Sequence, residues 1–411
     1  MNELVVAIDI GTSKICVLCG QINKAGQMDT LARSVVPCYG ARKGLISDID
    51  DVAGAIVDGI RQIETLAGLR VGSAYINVMG LHVDVVTNRS RAIITNDDRE
   101  IHRKDVERLM YQVRDVVIPH DSQIIDIIPR QFFIDGYGGI TEPVGMVGSS
   151  LELEADIVTG KISSISNIIR CIEKAGLKID GLVISGQALS EIVLTREERE
   201  MGVIVIDVGG TVTDVSVFKG GRLCFYESLL VGGDTVTNDI SYIMRVTQAE
   251  ADKLKKDYEL ALASLIHADQ AVFLTDIKEN IKKRVNISEI VEVIEARVSE
   301  IIEMSRDLLK LNGIALDFSA GVVLTGGGVA YFDGVKQIAN DVFGLPVKVY
   351  PARAFGGHRI ECVLAEGIVR HVARTGKGTR YGSDVQVQKG RGAEKEDGLG
   401  KKIVDLLKRI F

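Results

Sequence analysis

Two stretches about two hundred residues apart repeat one design. Residues 4–19, L-V-V-A-I-D-I-G-T-S-K-I-C-V-L-C, place an apolar strand, an aspartate, a glycine turn with hydroxyl residues and a second apolar strand in immediate succession. Residues 204–218, I-V-I-D-V-G-G-T-V-T-D-V-S-V-F, do the same. Each stretch predicts a β-hairpin: a central strand ending at Asp9 or Asp207, a tight turn at Gly11 or Gly209-Gly210, and a β-branched return strand. A duplicated hairpin predicts two similar domains facing one another.

The chemistry of such a turn is anion binding by geometry. Glycine removes the Cβ, so successive backbone N–H groups can converge on a phosphate, and Thr12, Ser13, Thr211 and Thr213 can add hydroxyl donors. An aspartate beside a polyphosphate is repelled by it and is expected instead to hold the water shell of Mg²⁺, which gives Asp9 and Asp207 a metal role through water. A third glycine cluster, V-V-L-T-G-G-G-V-A at 322–330, completes the set. One such hairpin would be unremarkable, but two with a third glycine turn point to a nucleotide cleft.

With these motifs the chain resembles the superfamily of actin, sugar kinases and heat-shock chaperones. Within it the chain is most similar to the FtsA family of bacterial cell-division proteins. The resemblance covers most of residues 1–370. It implies an α/β, two-lobed actin-like ATPase fold with a small α+β domain inserted in the first lobe. It places Asp9, Gly11, Thr12, Ser13 and Lys14 on the first phosphate motif, and Asp207, Gly209, Gly210, Thr211 and Asp214 on the second. Gly326, Gly327 and Gly328 fall on the adenosine motif. Gly232 and Gly233, in V-G-G-D-T-V-T-N-D-I, follow the family pattern after the second hairpin. The implied cofactors are ATP and Mg²⁺.

Size and charge set bounds on the remainder. With 411 residues the chain can bury more than one core. A formal charge of −7 without an offsetting basic cluster argues against nucleic acid as a partner. Cysteines 16, 19, 38, 171, 224 and 362 form no metal-ligand spacing, and Cys16 and Cys19, three apart on a predicted strand, point to opposite faces. They are expected to be free core thiols in a reducing cytoplasm. The first strand is interrupted at once by Asp9, so neither a signal peptide nor a transmembrane segment is expected at the N-terminus.

Taken in order, Ser47 or Asp48 predicts a helix cap, with Ile49, Val52, Ile56, Ile60 and Ile63 on one stripe of a helix reaching about Leu66. Beyond residue 82 the pattern changes to a predicted helix from about Asp98 to Val117 and short strands broken by P-R, D-G-Y-G-G and E-P-V-G. That segment, with its I-I-P and P-V-G-M order, is the part most like FtsA. Residues 247–312 are predicted nearly all helical. The expected divisions are 1–82, 158–200 and 346–373 for the first lobe, 83–157 for the insert, 201–246 and 313–345 for the second lobe, and 247–312 for its helical subdomain. The superfamily places an adenine and ribose contact on the first helix of 247–312, where Glu250 and Lys253 are candidates; a solvated charged face explains these two equally well.

Two departures from the family pattern stand out. Thr211 occupies a position that many relatives fill with a third glycine, which takes backbone latitude from the second phosphate turn. Glu366 lies in V-L-A-E-G-I, where the family has a stretch like Y-A-T-A-V-G-L; it is expected either as an exposed charge or as a changed contact. No residue identifies itself as a base for an attacking water, so the motifs allow phosphoryl transfer, slow hydrolysis or switching on ATP.

The tail differs from everything before it. Residues 374–398 are rich in glycine and charge and predict a flexible linker. In the last thirteen residues, L-G-K-K-I-V-D-L-L-K-R-I-F, helical spacing gathers Leu399, Ile403, Val404, Leu406, Leu407, Ile410 and Phe411 in an arc of about 160°. Lys401, Lys402, Lys408 and Arg409, with Asp405, hold the other side. This predicts a helix lying at an anionic membrane surface and too short to span it, in competition with a helix docked on the protein's own core. By resemblance the chain is expected on the cytoplasmic side of the cell membrane at the division site. It would associate with itself through 83–157, with the tubulin-like division GTPase FtsZ through 247–312, and with other division proteins. The alternatives are a pilus-assembly adaptor or a small-molecule kinase of the same superfamily.

Overall fold

The computed structural model describes residues 3–23, 28–350 and 360–375. Its organisation follows from the duplicated hairpin. The apolar strand Glu3–Ile10 turns back through Lys14–Ile22 in unbroken antiparallel register and continues to Met28–Pro37, while its other edge pairs in parallel with Ser73–Val78, which pairs with Lys178–Ile184. The second lobe repeats the arrangement. Val203–Val208 pairs antiparallel with Thr213–Lys219, then Arg222–Leu229, and on its other edge pairs in parallel with Val322–Thr325, then Val347–Val349. Each sheet therefore has five strands in the same order, with its phosphate hairpin at the centre and a glycine-rich or polar turn at the strand ends. Ligands of open α/β sheets bind in the crevice beyond the carboxyl ends of such strands.

Alternation along the central strands divides the cores. Ile204, Ile206 and Val208 face the second lobe's own core, whereas Val203 and Val205 join the core of the first lobe. Cys16 and Cys19 fall in different clusters on opposite faces of the first sheet, as their offset requires. Five of the six cysteines are buried free thiols and Cys224 is exposed, contrary to the expectation of a core thiol, because it points outward from the strand Arg222–Leu229. The Cys16 and Cys362 sulfurs lie 2.6 Å apart, joining the first hairpin to the start of the last described helix.

Over the first sheet lies the helix Ile49–Ala67, capped by Asp48, whose side chain accepts from the Asp50 and Asp51 amides. Val52, Ile56, Ile60 and Ile63 are buried along it. The insert is a four-stranded antiparallel sheet, Val83–Ile93, Ser150–Lys161, Ser122–Ile134 and Tyr137–Ile140, with a separate core beneath one helix. That helix is Arg103–Gln112, shorter than the predicted Asp98–Val117. Arg99 takes a left-handed backbone with φ of 53°, and Glu100 bridges to Val147, which keeps 98–102 out of the helix. Val106, Leu109, Met110 and Val113 are buried beneath it.

The prediction that 247–312 is nearly all helical is corrected at its centre. The ends are helices, Gln248–Tyr258 and Ile287–Leu311, but Ala271–Thr275 pairs with Lys282–Asn286 as a hairpin. The residues A-V-F-L-T favour an extended chain, and Asp276 closes the turn by accepting from the Lys278 and Glu279 amides.

Of the two outcomes expected for Glu366, the changed contact is found. Glu366 is buried on the helix Val363–Thr375, and Arg33 approaches its carboxylate at 3.8 Å. The same helix extends through Thr375, slightly into the predicted linker. The neighbouring Gly367 lets this helix rest on the backbone of Ser185–Val193, since a Cβ there would lie 2.1 Å from the Ala188 carbonyl oxygen. Gly367→Ala is accordingly expected to lower stability by about 1–3 kcal/mol through overpacking against backbone that cannot yield. Chemical denaturation should show this as a lower midpoint at unchanged slope, and an unaltered midpoint would contradict the packing described.

Candidate functional site

The two predicted phosphate turns are built alike and meet. In the first, the Gly11 amide donates to the Lys14 carbonyl at 3.0 Å, leaving Thr12 and Ser13 at the tip. In the second, the Gly209 amide donates to the Val212 carbonyl at 2.9 Å, leaving Gly210 and Thr211 at the tip. The Thr211 amide lies 3.4 Å from the Thr12 hydroxyl of the other lobe. A Cβ on Gly210 would come within 3.5 Å of both the Thr12 and Ser13 hydroxyls.

Around the second turn, glycine backbones stack without side chains between them. Gly232 precedes the helix Gly233–Met244, whose first amides donate to this turn: Gly233 to the Gly209 carbonyl at 2.9 Å and Asp234 to the Gly210 carbonyl at 2.8 Å. Gly328 donates to the Val208 carbonyl at 2.8 Å. A Cβ would lie 2.5 Å from the Gly210 oxygen if placed on Gly232, and 2.5 Å from the Gly209 oxygen if placed on Gly328. Gly326 has φ of 101°, a conformation that favours glycine. Gly327 alone of these glycines has open space where its Cβ would be, so that face of the late turn can receive a flat ring.

Three carboxylates line the strand ends. Asp9 stands opposite Cys16, and Asp207 and Asp214 stand opposite each other across the second hairpin. Burial pushes Asp9 up to about 7, opposed by the nearby Lys14 charge and reinforced by Asp214. Burial, then the Asp214 and Asp9 charges, pushes Asp207 up to about 7. Asp214 is raised to about 6 by burial, against hydrogen bonds from Ser228 and Tyr226. Such carboxyls part with protons reluctantly unless a cation compensates them. Among the described residues, the one trio of acidic or histidine ligand atoms within 4.8 Å of one another is Asp98, Glu100 and His102 on the insert. The cleft carboxylates are more widely spread, a spacing that suits an ion held through its water shell.

An orphan group supports an anion in the same place: the Thr211 hydroxyl is buried without a hydrogen-bond partner among the described residues. The threonine that departs from the family's glycine therefore supplies a donor between the two turns.

Glu250 and Lys253 lie on Gln248–Tyr258, with Lys253 exposed and the Glu250 amide engaged by the Thr247 hydroxyl at 3.2 Å. Sequence reasoning missed the next lysine on that helix. Lys255 is buried, its Nζ 3.1 Å from the Gly233 carbonyl and 2.7 Å from the Thr237 hydroxyl. Asn77 was missed too; it donates to Asp9 Oδ1 at 3.0 Å and accepts from the Ile10 amide at 2.7 Å. Its position inside an apolar strand, A-Y-I-N-V-M, was the available signal. The predicted membrane residues 399–411 lie outside the described residues, as does all but the start of the predicted linker.

Two outcomes test this geometry. Gly328→Ala must displace the second turn and should lower both thermal stability and nucleotide affinity, whereas Gly327→Ala, with open space around it, should leave stability within about 0.5 kcal/mol of wild type. Equal destabilisation by the two would contradict the stacking. The folded state binds protons at Asp9 and Asp207 more tightly than the unfolded chain does, so stability falls as pH rises between the ordinary aspartate value of 3.8 and about 7. In metal-free buffer, Asp207→Asn should reduce the drop in Tm between about pH 5 and about pH 8. An identical drop in both proteins would contradict the raised carboxyls.

Comparison with known proteins agrees with this architecture. The family profile described as cell division protein FtsA matches residues 204–373, and that of the SHS2 domain inserted in FtsA matches 80–159. The cell division protein FtsA of Bacillus subtilis is 32% identical over 376 residues, covering 92% of this chain and 85% of that protein. FtsA of Pseudomonas aeruginosa is 30% identical, covering 85% and 83% respectively. Among solved structures, MreB5 of Spiroplasma citri bound to ADP superimposes with a TM-score of 0.55 at 14% identity, covering 91% of this chain and 97% of that one. The PilM-PilN type IV pilus biogenesis complex gives 0.60 at 16%, covering 91% and 98%. These two likenesses speak for the fold, a two-lobed actin-like ATPase fold with an inserted SHS2 domain, and the sequence relatives speak for the family: the chain belongs to the FtsA family of cell division proteins.

Proposed function

We propose that this chain binds Mg²⁺–ATP between its lobes, assembles with copies of itself, and tethers FtsZ filaments to the inner face of the cytoplasmic membrane through residues 399–411. The observation that carries the nucleotide part is the meeting of the two turns at Thr211, whose hydroxyl is buried with no partner among the described residues. Thr12, Ser13, Gly210 and Thr211 would hold phosphates by backbone amides and hydroxyls, with Gly11 and Gly209 shaping the turns. Lys14 would add positive charge, and Asp9 and Asp207, with Asp214, would orient the waters of the ion. Gly326, Gly327 and Gly328 would border the adenine, with Glu250 and Lys253 as its outer contacts. ATP neutralises nothing by itself; its cation relieves the clustered carboxylates, which ties nucleotide affinity to Mg²⁺.

The surfaces for partners are of the right character. On the hairpin within 247–312, Phe273, Ile277 and Ile281 are more than half exposed, an apolar patch suited to a peptide from FtsZ. On the insert, Tyr137, Val147 and Ile93 are likewise exposed, which supports self-association through 83–157. Among the described residues no helix is long and apolar enough to cross a membrane. The amphipathic pattern of 399–411 supports attachment at the surface of an anionic bilayer, where self-association would multiply weak tails into firm binding. Family membership favours this reading over a pilus adaptor or a small-molecule kinase.

Calorimetric titration of the full chain with ATP and Mg²⁺ is expected to give a dissociation constant between about 1 μM and about 1 mM, weakened at least about tenfold by Asp9→Ala and by Asp207→Ala. In a second arm, FtsZ should sediment with anionic vesicles when the full chain is present and not when it ends at Gly398. Absence of nucleotide binding would remove the first half of the proposal. FtsZ recruitment without residues 399–411 would remove the second.

A further inference from the structure

One side chain of the second lobe is seated in the first. Tyr226, on the strand Arg222–Leu229, is buried within the first lobe's core. Its ring lies against two first-lobe glycines: a Cβ on Gly80 would fall 3.1 Å from its Cζ, and one on Gly186 3.1 Å from its Cε2. Larger residues at either position would close the seat. The Tyr226 hydroxyl nevertheless returns to its own lobe, donating to Asp214 Oδ2 at 3.0 Å, while the Ser228 hydroxyl donates to the other oxygen. Both oxygens of a cleft carboxylate are thus held, one of them by a ring whose position the opposite lobe determines.

The contact continues inward. Ser185, beside the Tyr226 hydroxyl, donates to the Val78 carbonyl at 3.1 Å and lies 3.3 Å from Asn77 Nδ2, which itself donates to Asp9. Asn77 therefore ties Ser185 to Asp9 within the first lobe, and the Tyr226–Asp214 bond of the second lobe lies beside that pair. Buried polar contacts of this kind hold their members in one arrangement, because breaking one leaves a desolvated group unpaired.

We propose that Tyr226 is an interlobe positioning residue: seated between Gly80 and Gly186, it holds Asp214 toward the hydrated cation of a bound nucleotide, so that cation binding and the closure of the two lobes are coupled. This inference rests on the Mg²⁺–ATP reading above. Linkage makes the coupling reciprocal: if lobe position sets the Asp214 geometry, a cation that needs that geometry favours the closed lobes. The ring supplies the mechanical contact and the hydroxyl supplies the electrostatic one, so the two are separable by substitution.

The test uses the full chain, ATP titrations with Mg²⁺ and with EDTA, and hydrogen exchange at 80–82 and 185–193. In the wild type, Mg²⁺ should raise ATP affinity and slow exchange in both first-lobe segments. Tyr226→Phe keeps the ring and removes the hydroxyl; the Mg²⁺-dependent gain should fall about tenfold with the EDTA affinity little changed, and the added protection at 80–82 and 185–193 should be lost. Ser228→Ala removes the other donor, whose hydroxyl also faces Gly80, and keeps the Tyr226 ring and hydroxyl. It should reduce the Mg²⁺-dependent gain yet keep the added protection, and it serves equally if Tyr226→Phe folds poorly. Affinity lost equally with and without Mg²⁺, or a Mg²⁺-dependent gain and first-lobe protection matching wild type in Tyr226→Phe, would overturn the proposal. A wild type that binds ATP with no response to Mg²⁺ would overturn it while leaving nucleotide binding intact, and a wild type that binds no ATP would overturn the reading of the cleft as well.

Discussion

The cleft depends on three backbones that touch because none carries a side chain there. Gly209 accepts from Gly233, Gly328 donates to Val208, and a Cβ on Gly233 would lie 2.6 Å from the Gly328 Cα. This contact fixes the second phosphate turn between a helix start and the late glycine turn. Its tip then reaches Thr12 in the other lobe. The helix Gly233–Met244 begins at this point, so its positive end adds to the field an anion would meet. Lys255 secures that end by reaching the Gly233 carbonyl from the next helix.

The arrangement has a cost that a ligand would offset. Three carboxylates raised by burial, Asp9 and Asp207 also by neighbouring carboxylate charge, sit at the junction of the two sheets, and without a cation they work against the folded state near neutral pH. A ligand that binds only the folded form restores stability in proportion to its occupancy. Elsewhere the interior handles charge differently. The buried Glu366 has the Arg33 guanidinium near it, and Asp156 of the insert is engaged by Arg130 at 2.7 Å and by the Thr87 hydroxyl at 2.9 Å. Charge that serves structure is paired within the chain, while Asp9 and Asp214 of the cleft are held by the neutral donors Asn77, Tyr226 and Ser228.

Much of this was legible in the sequence because the glycines and aspartates of the turns obey rules local to a few residues. The hairpins, the capped helix from Ile49, and the outline of the insert could all be read from alternation, periodicity and turn residues. The misreadings arose where tertiary contacts decide. The Ala271–Thr275 hairpin lay hidden between two helices of similar composition. Glu366 gave no sign of burial, since its counter-ion Arg33 is far away in sequence. Lys255 could not be told from the exposed lysines beside it, Asn77 meets Asp9 only through the pairing of two distant strands of the first lobe, and the seat of Tyr226 exists only once the two lobes are brought together. Thr211 was read as a loss of backbone freedom; its buried hydroxyl also makes it a donor in search of an acceptor.

The central claim is that the two hairpins, the helix start and the late glycine turn form one nucleotide site. Amide hydrogen exchange mapped over residues 11–14, 209–212, 232–235 and 326–330, with and without Mg²⁺–ATP, tests it most directly. The account predicts that all four segments become protected together, over the same range of nucleotide concentration. Protection confined to one lobe, or exchange in these segments that ignores nucleotide while the protein demonstrably binds it, would contradict it.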